Sequence, residues 1–469
     1  MTRSNSPQLL AQPWRPALSR YRLDQLITRG APWAAVLAVT AVLCALAYGM
    51  NHTNYLIWGG FWVAPALLIL SIPLANRAAR LDGDTIGRIV LIAAGIKVLI
   101  APLLRYWMAF SVYGGSADAS RYHLAGRGLA PLFRQGVYSN LGEISGTRFI
   151  EVLTGQLYAI TGPTRLGGFM VFSWFSFLGC YLFYRAFCTA YPDGDRRRYA
   201  LLVFFFPTLL FWPSSMGKEA FMMLALGGAA LGAAQLIVGS LRGFLWLALG
   251  LWGAAVVRPH MALMVGAGLA VAAAIAVLRG GTQAERRQRG RLGGAVLGAA
   301  LIFSGSIVVG MAEKFFHLDS LNVQTAQEIL DETTRRSGQG GSAFEKASPN
   351  TPVGLALGGV TVLFRPFPFE ARNAQAMLTS LEGLVLLILC ARSLPRLART
   401  PAELLRRPYI AFAVVYTFSF LYAFASLENF GILARQRALL LPVLFVVLSI
   451  PRERYGAPRR LSAQESRAS

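Results

Sequence analysis

Residues 199–238 read YALLVFFFPTLLFWPSSMGKEAFMMLALGGAALGAAQLIV, two apolar runs joined by the turn WPSSMGKE, whose only charges are Lys218 and Glu219. The triplet Arg196, Arg197 and Arg198 stands immediately before the first run. A hairpin of two membrane-crossing helices explains both facts: arginines collect where the chain enters, and a compact charged turn lies at the far side. The rest of the chain repeats the pattern. Of its residues 55% are hydrophobic and only 14% charged, and a mean hydropathy of +0.49 belongs to a chain whose solvent is mostly lipid. The expected fold class is therefore all-α, a polytopic membrane helical bundle.

A net charge of +23 suggests nucleic acid at first sight. The arginines, however, lie in short runs between apolar segments, so membrane lipids are the expected partners and nucleic acid is not. Cys44, Cys180, Cys188 and Cys390 fall in or beside apolar stretches, without the pairing of a secreted scaffold or the spacing of a zinc site, and read as packing residues. The polar, arginine-bearing N-terminus runs into a full-length apolar segment with no cleavage pattern, so that segment reads as retained.

Spans are predicted at 32–50, 55–75, 86–103, 166–187, 199–212, 220–238, 244–257, 261–278, 292–311, 374–391, 409–426 and 432–450, most near the ~20 residues that a bilayer needs. Two amphipathic stretches, 149–160 and 353–364, read as interfacial or re-entrant helices in the outward loops. With about twelve spans, the basic clusters at 3–29, 77–80, 196–198, 242, 286–291, 392–407 and 452–460 all fall on one side, which the positive-inside bias makes the cytoplasm. The predicted organisation is a cytoplasmic tail over 1–31, a transmembrane domain over 32–450 with outward loops at about 104–165 and 312–373, and a second cytoplasmic tail over 451–469. That is a multi-pass protein of the cell inner (plasma) membrane.

Parity also places five polar motifs on the opposite face. They are Asp118-Ala-Ser-Arg121-Tyr122-His123; Ser215-Met-Gly-Lys218-Glu219; Arg258-Pro-His260; Arg365-Pro-Phe-Pro-Phe-Glu370-Ala-Arg372; and Glu428-Asn429-Phe-Gly-Ile-Leu-Ala-Arg435-Gln-Arg437. Lys218, Arg258, Arg435 and Arg437 sit in short outward loops, against the charge bias. Snorkelling, or pairing with Glu219 and Glu428, explains any one of them equally well; four together point to a site. Arginine matches phosphate oxygens with a planar donor fork and keeps its charge beside lipid. A lone carboxylate with Arg121 and His123 within a turn suits a general base on a sugar hydroxyl, although Asp118 and Ser116 also suit a helix cap. Two prolines stiffen the charged turn at Arg365 to Arg372, while the glycine-rich stretch Ser337 to Ser342 reads as flexible.

Outside a bacterial cell there is no nucleotide supply, so sugar transfer there would use donors carried on polyprenyl phosphate or diphosphate. Basic groups would hold the phosphate leaving group and the carboxylate would activate the acceptor. Asp118 followed by Tyr122 and His123 in an outward loop resembles the acidic first-loop motif of GT-C-type, polyprenyl-phosphate-dependent membrane glycosyltransferases. The segments Phe205 to Glu219 and Asn429 to Arg437 are similar to stretches of bacterial polysaccharide polymerases. Together these cover about a tenth of the chain, and they depart from the GT-C pattern in one respect: Asp118 follows the third predicted helix, not the first. The resemblance implies a transferase or polymerase of cell-envelope polysaccharide, with a polyprenyl-linked sugar and a glycan acceptor as partners. Asp118 would be the base, and Lys218, Arg258, His260, Arg435 and Arg437 would bind phosphate. Arg365 and Arg372 would position glycan or lipid.

A transporter or lipid flippase, or a non-catalytic subunit of an envelope assembly, shares the helix count and inward termini. Transporters usually carry midplane charges and internal repeats; no repeat is visible between the halves, and Lys97 is the one cation well inside a span. Asp118, Glu219, Glu370 and Glu428 could share a divalent cation, but no ligand spacing supports one, so no cofactor is expected.

Overall fold

The computed structural model describes residues 21–115, 117–139, 141–278, 351–371, 374–425, 427 and 429–452. The predicted span 292–311, and the motif residues Arg372 and Glu428, lie outside them. Helix α1, Tyr21–His52, belongs to a separate compact unit. The second unit begins at Thr53 and holds every other element described below.

Every regular element among the described residues is helical. Helices α2 (Tyr55–Asp82) and α3 (Asp84–Val112) lead to a hairpin of α4 (Asp118–Arg134) and α5 (Gly146–Thr161). Then come α6 (Arg165–Ala190), α7 (Arg196–Phe205), α8 (Pro207–Phe211), α9 (Lys218–Ile237), α10 (Gly243–Val257) and α11 (Pro259–Leu278). The last group is α12 (Pro352–Phe364), α13 (Ala374–Arg392), α14 (Leu394–Leu397), α15 (Thr400–Arg406), α16 (Pro408–Phe424) and α17 (Phe430–Leu448).

Among the described residues, six helices are long and apolar enough to cross a membrane: α2, α3, α6, α9, α11 and α17. The bent pair Ala376–Arg392 and Leu394–Arg406, which turns by 59°, adds a seventh if counted as one span. The twelve expected spans exceed this count: 292–311 lies outside the described residues, α1 counts only over Leu37–His52, the stretch 199–212 is split into two short helices, and α10 and α16 have only 15 and 17 residues. At 1.5 Å per residue those helices fall short of a ~30 Å hydrocarbon layer. Large apolar side chains lie exposed along the flanks, among them Ile69, Ile92, Ile100, Leu245, Leu249 and Ile388, as lipid-facing surface requires.

The spans run in alternation, which separates two ends of the bundle. At one, Arg185 and Arg196 both donate to Asp82, at 2.6 and 2.8 Å. Beside them Arg198 donates to the Leu448 carbonyl (2.9 Å), Arg396 to that of Ile450 (2.7 Å) and Arg399 to that of Pro451 (2.6 Å). These three cover carbonyls at the end of α17, which the helix itself leaves without partners. At the other end lie the starts of α4, α6, α9 and α17 and the close of α10.

The middle of the bundle is packed through small residues. A Cβ added at Gly179 of α6 would lie 2.3 Å from the Met223 carbonyl oxygen of α9, and one at Gly227 would lie 2.5 Å from that of Gly179. Gly232 and Gly250 approach α10 and α9 just as closely. Helices in lipid gain little from burying apolar surface against each other, so close backbone approach supplies the attraction.

Two features differ from the sequence expectation. The stretch 199–212 is two helices, broken at Phe206, whose extended backbone (φ −63°, ψ 130°) precedes Pro207; the proline ring disfavours helix in the residue before it and supplies no N–H. The outward loop expected from about 104 begins later, because α3 continues through Arg105 to Val112 by way of two π-helical turns, Ile96–Ile100 and Met108–Val112. Lys97 lies in the first of these turns and is 1% exposed. Its Nζ donates to Ser176 Oγ (2.8 Å), Ser214 Oγ (3.2 Å) and the Leu209 carbonyl. One buried ammonium thus satisfies a carbonyl of the broken segment and ties α3 and α6 to the turn after α8.

Candidate functional site

Four of the five motifs meet at one cavity of about 190 Å³ at the end of the bundle where α4 and α9 begin. Asp118 and Arg121 come from the first turn of α4, Lys218 and Glu219 from the first turn of α9, Arg258 from the end of α10, and Arg435 from the second turn of α17. Segments more than 300 residues apart in sequence are in direct contact, since Arg435 Nη1 donates to Asp118 Oδ2 at 3.0 Å. The start of a helix carries free N–H groups and a positive dipole end, so both α4 and α9 add to the cavity's preference for an anion.

The ion pairs divide the lining cations into two kinds. Arg258 Nη2 donates to Glu219 Oε1 at 2.9 Å and its Nη1 to Gln436 Oε1 at 2.9 Å; both side chains of the Arg258–Glu219 pair are nearly buried. Arg435 is paired with Asp118, and Arg121 Nε with Glu151 at 2.9 Å, which Arg148 also meets at 3.1 Å. Asp118 is the first residue of α4, but its side chain does not cap the helix: Ala117 holds the cap position, without a side-chain hydrogen bond. The Asp118 carboxylate is 68% exposed and faces the opening. Arg105 and Lys218 also line the cavity, and among the described residues neither has an ion-pair partner.

Arg105, Tyr122, Trp212, Ser215 and Thr147 belong to the lining although none was selected as a site residue from the sequence. Arg105 is 8% exposed, and its guanidinium lies over the rings of Phe211 (4.5 Å to the centroid) and Trp212 (5.3 Å). Arg435 also lies over the Trp212 ring, at 5.8 Å. The negative ring face of an indole attracts a guanidinium, so Trp212 helps to hold both arginines in place. The one signal for Arg105 in the sequence was an arginine following the apolar run 86–104.

The other candidates lie elsewhere. His123 is buried on the far side of α4, with Nδ1 2.8 Å from the Tyr158 hydroxyl of α5. Burial, aided by the charges of Arg165 and Arg127, lowers its pKa from 6.5 to about 4. The unfolded chain therefore takes up a proton between those values that the folded one refuses, and stability falls as pH drops from about 6.5 toward 4. Thermal melts in detergent at pH 7 and pH 5 should show the loss, and His123→Gln should flatten it; an unchanged slope in that variant would move the effect to another group.

His260 packs edge-on against Phe424, with 5.9 Å between ring centroids. Asn429 caps α17, its Oδ1 accepting from the Gly431 and Ile432 amides at 2.9 and 3.1 Å. Arg365 pairs with Glu370 inside its own turn, and Glu370 also accepts from the Phe367 amide at 2.8 Å. Burial opposes ionisation of Glu370, yet these hydrogen bonds outweigh it and hold its pKa below the ordinary value. Arg437, 1% exposed, donates to the Val362 carbonyl at 2.9 Å and to that of Arg365, completing the end of α12.

Beside the cavity runs an apolar groove of about 970 Å³ between α3, α8 and α13. Leu104, Met108 and Phe211 line it, next in sequence to the cavity residues Arg105, Ala109 and Trp212, so α3 and α8 form a wall common to both. Glu382 is its one carboxylate and accepts from Thr208 at 2.8 Å. Among the described residues no group of three or more His, Cys, Asp or Glu side chains is arranged to hold a metal ion.

Comparison of the chain with protein-family models, with curated proteins and with solved structures gave no match in any of the three.

Proposed function

We propose that this chain is a membrane glycosyltransferase or polysaccharide polymerase that uses a polyprenyl-(di)phosphate-linked sugar at the outer face of the cytoplasmic membrane. The observation that carries the reading is the convergence of Asp118, Arg121, Lys218, Glu219, Arg258 and Arg435 on one small cavity at one end of a lipid-facing bundle. A soluble anion could also use such a cavity. The apolar groove behind the α3 and α8 wall favours an anion attached to a lipid.

In this reading the acceptor hydroxyl loses its proton to Asp118 as its oxygen bonds to the anomeric carbon. The bond from that carbon to the phosphate oxygen breaks, and the electron pair leaves on the polyprenyl phosphate or diphosphate. Cations already fixed by Glu219, Glu151 and Trp212 meet the developing charge without reorganising. The Asp118–Arg435 pair opens to the cavity mouth, where an acceptor would arrive.

Deleting the gene and analysing lipid-linked intermediates tests this. Accumulation of a lipid-linked precursor together with loss of an envelope polysaccharide is the expected outcome; unchanged glycans would overturn it. Complementation with Asp118→Asn should fail. Full rescue by that variant would remove the carboxylate base and favour an arginine-driven polymerase.

A transport reading draws on one observation: Lys97 and Glu382 are ionisable groups well inside helices α3 and α13. Lys97 is bound to hydroxyls and a carbonyl, and Glu382 to a threonine, so both have structural partners where they lie.

A further inference from the structure

We infer that the anion bound at the cavity is a diphosphate diester, carrying two negative charges, held by Arg105 and Lys218 with its apolar chain in the groove beside them. The inference rests on the lipid-linked reading above and narrows it, because a monophosphate-linked sugar carries one charge and a diphosphate-linked sugar two.

The first ground is the charge pattern. Of the five cations in the lining, Arg121, Arg258 and Arg435 already have carboxylate partners in Glu151, Glu219 and Asp118. Arg105 and Lys218 have none among the described residues. Glu219 and Asp118 lie near enough to act on these two, but each is already engaged by an arginine, so two cations remain in excess, which is unfavourable near lipid unless a ligand supplies the compensation. One phosphodiester would leave one of them uncompensated.

The second ground is unsatisfied donors. Arg105 Nε and Trp212 Nε1 are both buried without a hydrogen-bond partner, and both side chains line the cavity; Arg105 is 8% and Trp212 3% exposed. Buried donors in native proteins are nearly always paired, so two at one cavity mark where acceptor oxygens belong. A diphosphate has oxygens enough for these donors and for Lys218 together.

The third ground is size and proximity. A cavity of about 190 Å³ is smaller than the ~300 Å³ at which sites for whole small molecules begin. It suits an anionic group, with the sugar outside. The groove is several times larger, almost wholly apolar, and begins on the residues flanking Arg105 and Trp212. A chain leaving a phosphate held by Arg105 would have only the thickness of the shared α3 and α8 wall to round before entering it.

The test uses the purified full chain in nanodiscs at ~0.15 M salt, where exposed charges are screened over about 8 Å. Binding is measured for farnesyl diphosphate and farnesyl phosphate each esterified to the same N-acetylglucosamine, and for inorganic diphosphate. The diphosphate lipid should bind at least tenfold more tightly than the monophosphate lipid, and more tightly than inorganic diphosphate. Arg105→Gln and Lys218→Met should each cut that preference severalfold, and Arg105→Lys should retain part of it. Should Arg105→Gln not fold, Lys218→Met carries the comparison.

Equal affinity for the two lipids overturns the dianion assignment and leaves the lipid-linked reading standing. So does a preference that both variants retain. Binding of inorganic diphosphate with no affinity for either lipid overturns the groove assignment and the lipid-linked reading together, as does failure of all three probes to bind.

Discussion

Gly179→Leu should abolish the folded protein. At this position α6 and α9 meet backbone to backbone, and the first carbon of any side chain would lie 2.3 Å from the Met223 carbonyl oxygen. Main chain cannot rotate aside as a flexible side chain would, so α6 and α9 would have to separate along their whole contact. Overpacking of this kind costs about 3 kcal/mol or more, and in lipid no apolar burial compensates for it. Fluorescence-detected size-exclusion chromatography should replace the monodisperse peak with aggregate. Gly266→Leu is the control, since no atom of the described residues lies within 4 Å of a Cβ added there. A normal elution profile for Gly179→Leu would mean that the two helices do not meet at this point.

Glu219→Ala should lower stability and abolish complementation together. The carboxylate and Arg258 are only 14% and 13% exposed, so deleting one partner leaves a charge near lipid with Gln436 as its remaining hydrogen-bond partner. Breaking a buried pair in this way costs about 3–5 kcal/mol. The double variant Glu219→Ala with Arg258→Ala should melt higher than Glu219→Ala alone, because the uncompensated cation is gone, yet it should remain inactive because a cavity cation has gone with it. If the double variant melts lower than either single one, the two side chains contribute separately and the pair is not the unit.

How far the sequence revealed this arrangement depends on the range of the interactions. Runs of apolar residues long enough for a bilayer identify α2, α3, α6, α9, α11 and α17, since span length is a local property. Charge alternation grouped the motifs of Asp118, Lys218, Arg258 and Arg435, and these four do come together. Within motifs the resolution was lower. Arg121 and His123, and likewise Arg435 and Arg437, are two residues apart on a helix, and such residues face different sides. One member of each couple reaches the cavity while the other bonds to Tyr158 or to the end of α12. Arg105 was missed for the opposite reason. A charge within an apolar run looks like the end of a helix, and only the rings of Phe211 and Trp212, over a hundred residues later, allow the helix to continue. Lys97 depends in the same way on Ser176, Leu209 and Ser214.

The arginines gathered at the far end bear on which changes the chain tolerates there. Arg198, Arg396 and Arg399 reach main-chain oxygens of Leu448, Ile450 and Pro451, which every amino acid presents alike. These three bonds survive any substitution that the buried sites of Leu448 and Ile450 can pack, whereas removal or insertion of a single residue would shift all three oxygens out of register at once. A random-mutagenesis library scored for surviving protein would therefore admit replacements of similar size and no change of spacing at the close of α17.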